Sequence, residues 1–305
     1  MISQVINDIL KNVYKMEDKA VRTLKALPSQ ERLDSYPFLS SDTYFFQSDI
    51  RIESEENLRL IVGADKSSIF YLNGNPPVNL LTNLITELNK RQLRFARLIV
   101  GDSDFPLDES VLSELKPYFV ELYCVNYREK IIGPIKNLPL GIESQRYRSA
   151  GQIRDFKKLP SYEPLKRPHG ILVAWNDDTF INERKMAREL LRVSPLVYEF
   201  AHRVPARLIH RMMRRSKLVA CPRGNGIDTH RFWESLYLGA LPVILKGNRL
   251  SSQADWPCLE IDSWQEVNDW TSGYLIDIYE SKARELIEFR ASAHRFVDYL
   301  GSKDV

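Results

Sequence analysis

Along the 305 residues the apolar positions form short runs of alternating period, with no single long stretch. Ile69-Phe70-Tyr71-Leu72 is a continuous apolar run closed by the turn residues of 73–77, the pattern of a short buried strand. From Val78 to Arg91 the apolar residues recur every three or four positions, which predicts an amphipathic helix. The alternation continues with a strand at 94–100, a helix at 108–116 and a strand at 118–125. Periodicity then fades through a segment broken by Pro134, Pro139, Pro160, Pro164 and Pro168. Beyond it the pattern predicts a strand at 170–175, helices at 180–193 and 205–215, and a strand through Leu218-Val219-Ala220. A helix beginning at Asp228, strands at 243–245 and 258–262, and one long helix at 274–300 complete this half; a further helix is expected at 3–25. Strands alternating with helices imply parallel pairing in doubly wound α/β sheets. At about 100–150 residues per domain, the length predicts two such domains. They are expected at 1–147 and 148–305, facing a cleft, with the terminal helix packing back on the first.

The most informative segment is KLVACPRGNGIDTHRFWESLYLGALPVIL, 217–245. A strand runs into a loop holding Pro222, Arg223, Gly224, Asn225 and Gly226, and the loop runs into a helix and a further strand. Asp228 is a favoured N-cap type, because its carboxylate accepts a hydrogen bond from an unpaired backbone N–H. Strand, glycine loop and helix aim free N–H groups and a partial positive charge at an anion. Phe232, Ser235, Leu236, Gly239 and Ala240 fall on one stripe that faces the sheet. His230, Arg231 and Glu234 lie within about one turn of each other on the helix. A carboxylate placed there suits a ribose diol, and Arg223 and Arg231 suit phosphate oxygens. An isolated Arg–Glu pair at i,i+3 would be worth roughly half a kcal/mol or less as a surface contact. The adjoining Pro-Arg-Gly-Asn-Gly loop favours ligand binding instead.

At these residues the chain resembles the exostosin-like (family 47 type) glycosyltransferases. PRGNGIDTHRFWESLYLGALPVI is similar to their donor-nucleotide motif, with looser likeness in NLPLGIESQRY (137–147) and WNDDTFINERKMA (175–187). The resemblance implies a GT-B fold and an inverting transfer from a nucleotide sugar, most often a UDP-sugar, without an obligatory metal or other cofactor. It further implies that Arg231 contacts the diphosphate and Glu234 the ribose, with a glycan acceptor in the opposite domain, as in polysaccharide biosynthesis.

Composition narrows the alternatives. A hydrophobic fraction of 44% with 27% charged residues is that of a globular protein, and a net charge of +3 lacks the dense basic face of a nucleic-acid binder. Cys124, Cys221 and Cys258 are widely separated, which argues against a zinc site or a disulfide framework. Cys221 stands at the mouth of the loop, where a core role is favoured over a nucleophilic one. No apolar run reaches the ~20 residues of a membrane span, and Met1 is not followed by a secretory segment, so a cytoplasmic location is expected. Residues 3–25 and the basic run 210–217 are the two stretches that could touch a membrane surface.

Sugar transfer needs a base for the acceptor hydroxyl, and a carboxylate or His from the opposite domain is the usual source. Asp102 and Asp104, in Gly-Asp-Ser-Asp after a strand, are the candidates, with turn formation as their competing role. Thr179 and Arg184 are candidate phosphate or sugar contacts beyond another strand. Asp177 and Asp178 lack a third ligand at fixed spacing, so no metal is expected. Trp256 and Trp264 are read as core. Two other functions remain open: a non-catalytic nucleotide- or carbohydrate-binding protein, and a dinucleotide-dependent oxidoreductase. The second fits poorly, because Thr229 stands where a GxGxxG loop needs its last glycine.

Overall fold

The computed structural model describes residues 32–128, 133, 135–147, 153–201 and 204–303. The helix expected at 3–25 lies outside these residues, and the domain boundary expected after Tyr147 falls at the edge of the undescribed 148–152. The described residues form two five-stranded sheets, every strand pair parallel, in the two-domain α/β arrangement expected of GT-B proteins.

The first sheet runs in chain order: β1 (Ile50–Ile52), β2 (Ile69–Asn73), β3 (Phe95–Gly101), β4 (Phe119–Val125) and β5 (Ile135–Leu138). β3 is buried along its whole length, which accounts for its apolar residues on both faces, with Arg97 as its one charged position. Helix α1 (Ser41–Gln47) precedes the sheet, α2 (Val78–Arg91) joins β2 to β3, and α3 (Glu109–Leu115) joins β3 to β4. The second sheet contains β6 (His169–Val173), β7 (Val197–Glu199), β8 (Ser216–Ala220), β9 (Leu241–Leu245) and β10 (Leu259–Ile261), in the order β10-β9-β8-β6-β7. The order in which strands are added therefore reverses between β6 and β8, and ligands of open α/β sheets sit beyond the carboxyl ends at such a reversal. Around this sheet stand α4 (Arg154–Lys157), α5 (Ile181–Leu191), α6 (Ala206–Met213) and α7 (His230–Tyr237).

The expected long terminal helix is two, α8 (Ser272–Ser292) and α9 (His294–Gly301), meeting at Ala293. The second packs back on α1 of the first domain. Arg97, buried within β3, locks it there. Its Nη1 donates to the carbonyls of Tyr299 (2.8 Å), Leu300 (3.2 Å) and Ser302 (2.6 Å), while Nε pairs with Glu121 at 2.7 Å. These are carbonyls that a helix end leaves without intrahelical partners. Two of the short elements, β1 and β7, have only three residues each, too few for a period to register.

Candidate active site

The carboxyl ends of both sheets point at each other, and the loops after β3, β4 and β5 meet those after β6 and β8. Close approach explains the glycine at 226: a Cβ there would overlap Asn126 Nδ2 and the Asp104 carbonyl across the cleft. Asn126, left-handed at φ 55°, accepts from the Asp228 N–H at 2.7 Å, and Asn225 Nδ2 donates to Asp104 Oδ2 at 3.0 Å.

Asp228 does not cap the helix. Thr229 is the N-cap, without a side-chain bond, and α7 begins at His230. The Asp228 carboxylate is buried and turned away to accept from the Leu140 N–H (2.9 Å), Trp233 Nε1 (2.8 Å) and Gln253 Nε2 (3.1 Å). Burial pushes its pKa up to about 7 against these donors. Its role is to pin the loop after β5 to the start of α7.

That loop, 139–147, carries a residue the sequence reading passed over. Gly141 takes φ +70°, and a Cβ on it would overlap the Leu39 carbonyl, so only glycine lets the loop pass. Ile142 N donates to Leu39 O at 2.8 Å, and the buried Asp42 accepts from Ser144 Oγ and Gln145 N, each at 2.6 Å. Clamped on both sides, Glu143 projects into the cleft with its side chain 23% exposed, 3.5 Å from His230 Nε2. Burial raises its pKa, opposed by the charge of His230. His230 Nδ1 donates to the Gly141 carbonyl at 2.8 Å, which leaves Nε2 facing the cleft. Burial alone would lower the His230 pKa; Glu143, the Gly141 carbonyl and Glu234 raise it.

Two cavities open here. One, of about 360 Å³, is lined from the first domain by Ser41, Asp102, Ser103, Asp104, Phe105 and Tyr147, among others. The other, of about 220 Å³, is lined by Thr179, Arg184, the 224–226 loop, Arg231 and Glu234. Asp104, Leu140, Glu143 and His230 line both, so the cavities adjoin at two carboxylates and an imidazole.

Most of the expected residues are gathered here, though not always as expected. Asp102 lines the first cavity, but its carboxylate is held by Arg32 at 2.7 Å and by Arg146, and its side chain is 5% exposed. Asp104 is exposed and faces the shared region. Arg223 is turned to the rim: its guanidinium stacks 4.1 Å from the ring of Phe180, itself left-handed at φ 57°. Arg184 takes the position in the cavity wall. Nε bonds the Arg223 carbonyl and Nη1 the Asn176 carbonyl, both at 2.8 Å, and Nη1 also reaches Thr179 Oγ1. Burial, and then the charge of Arg231, lower its pKa to about 10. Glu234 is 5% exposed and pairs with Arg231 Nη1 at 2.6 Å. Burial would raise its pKa, but Arg231 and His210 bring it down to about 2, so it stays ionised.

Cys221 is buried and its thiol is pushed up to about 12 by burial, which leaves no thiolate for nucleophilic chemistry at neutral pH. Trp264 is core, and Trp256 packs edge-on against Phe289 at 5.1 Å. Among the described residues no cluster of three or more His, Cys, Asp or Glu side chains is arranged to hold a metal ion. No described helix is long and apolar enough to cross a membrane.

No protein-family model matches the chain, and no curated protein sequence matches it. A solved structure of a trehalose-6-phosphate synthase, OtsA, is similar over 89% of this chain and 83% of that one, at 11% identity and a TM-score of 0.43. So distant a likeness says nothing of donor or acceptor. What speaks to function is the residues of the cleft.

Proposed function

We propose that this chain is an inverting, nucleotide-sugar-dependent glycosyltransferase of the exostosin-like type, with a UDP-sugar as the leading donor and a glycan as acceptor. The observation that carries the proposal is the pair of adjoining cavities that share Asp104, Glu143 and His230 at the facing sheet edges. One has the lining of a nucleotide diphosphate site and the other that of a hydroxyl-bearing acceptor.

In this reading Glu234 takes the ribose diol, and Arg231, Arg184 and the first N–H groups of α7 take the diphosphate. The acceptor hydroxyl enters from the first cavity. Its oxygen bonds to the anomeric carbon as the bond from that carbon to the diphosphate oxygen breaks, through an oxocarbenium-like state. The leaving diphosphate keeps the electron pair, and the fixed cations meet the charge as it develops. The hydroxyl proton goes to a carboxylate of the first domain. Glu143 is the leading base, because burial raises its basicity and it stands where the cavities meet. Asp104 is the second candidate; the guanidinium groups on Asp102 leave its carboxylate little freedom to act.

The experiment is turnover with a panel of nucleotide sugars, with release of the nucleoside diphosphate as readout. We expect release with one donor class, enhanced by a glycan acceptor and abolished by Glu234→Ala with the fold intact. Tight nucleotide binding without turnover of any donor would instead make the protein a binding module.

A further inference from the structure

Behind Glu234 lies a chain of charged groups that the transfer reaction does not itself require. His210, on α6, is 1% exposed and packs at a tilt against the ring of Phe156 with centroids 4.8 Å apart. Its Nδ1 lies 3.0 Å from Asp155 Oδ2 on α4, and its Nε2 faces Glu234 Oε1 at 3.5 Å. That Nε2 is buried and makes no hydrogen bond among the described residues. Glu234 Oε2 is taken by Arg231, so one oxygen of the carboxylate is held by the guanidinium and the other faces the imidazole.

We propose that His210 is a positioning residue which, in its protonated form, fixes the carboxylate that takes the ribose of the donor. The proposal rests on the nucleotide reading of the cavity. With a proton on each nitrogen the ring bridges two carboxylates. When the Nε2 proton is lost, Nδ1–H stays with Asp155 and a lone pair faces Glu234, so the carboxylate is released toward Arg231 alone. Other charges surround the ring: Arg214 donates to the Asp155 carbonyl, Arg290 reaches the Phe156 carbonyl from α8, and Arg231 lies beyond Glu234. Burial and Arg231 disfavour the imidazolium, whereas Asp155 and Glu234 outweigh them and raise the His210 pKa. The bridge therefore holds at low pH and is lost as pH rises through that raised value.

The test is isothermal titration of UDP against 2′-deoxy-UDP, and GDP against 2′-deoxy-GDP, into the full chain from about pH 6 to about pH 9. Wild type, H210Q, D155N and E234Q are compared, and the fold of each is checked by thermal unfolding. In wild type the preference for the ribonucleotide shrinks as pH rises. In H210Q, where an amide donates to one carboxylate at every pH, the ribonucleotide binds roughly tenfold or more weakly and the preference is flat with pH. D155N moves the step to lower pH. His230 also acts on Glu234 but is common to all four proteins, so it cancels in the comparison. If H210Q keeps the wild-type preference at every pH while E234Q has lost it, the positioning role is overturned. A variant that melts early yet retains the preference overturns it as well. If E234Q also keeps the preference, or no nucleotide binds wild type, the ribose assignment itself fails and the inference falls with it.

Discussion

Glu143 shows how much a single residue's role depends on what lies opposite it. In the sequence it is one acidic residue in the proline-broken segment where periodicity fades, and Asp102 and Asp104 present the stronger local pattern. Only the fold brings Glu143 to His230 and gives Asp102 its two arginines, from 70 and 44 residues away. A long-range ion pair has no period to betray it. The pair proposed for the nucleotide, Arg231 and Glu234, was easier to single out, because the two are neighbours on one helix and their contact is local. Arg223 and Arg184 were not separable that way, since the cavity position is decided by the stacking on Phe180. We expect Glu143→Gln to lower kcat by about 10²–10⁴-fold with little change in donor KM, and Asp104→Asn to lower it far less. Because burial raises the Glu143 pKa and the base acts deprotonated, activity should fall on the acid side at a pH above that of an ordinary carboxylate. Steady-state kinetics across pH check both. Loss in Asp104→Asn with Glu143→Gln active would transfer the role to Asp104.

At the level of elements, the long buried strands and α2 were legible because their periods extend over five or more residues. The start of α7 was misplaced by two positions, and the reason is instructive. Asp228 is a good N-cap type, but a carboxylate that can reach Leu140, Trp233 and Gln253 is worth more to the fold as a pin between domains than as a cap. The single terminal helix became two for a similar reason, since α9 must turn to meet Arg97 and α1. The 224–226 loop carries a sharper expectation. Gly226→Ala places a methyl group against Asn126 and the Asp104 backbone across the cleft, and overpacking of this kind costs about 1–3 kcal/mol. Thermal unfolding should show a lower Tm, with weaker nucleotide binding because the two walls are pushed apart. Unchanged stability and affinity would mean that the walls do not close on the loop as described.

For the whole molecule, the α/β class and the presence of two parallel sheets followed from the alternation of periods, while the strand order did not. The reversal between β6 and β8, which opens the crevice beside the 222–226 loop, is a property of crossovers that leaves no mark on local pattern. The central claim is that this crevice receives a nucleoside diphosphate. It is tested most directly by thermal shift with UDP, GDP, CMP and NAD on wild type and on Arg231→Ala. A ligand at about 100 times its Kd adds roughly 2.7 kcal/mol to the stability of the folded state. The account predicts a rise in Tm with UDP or GDP that exceeds that with CMP and is lost in Arg231→Ala. Stabilisation by NAD alone, or an equal response in the variant, would contradict it.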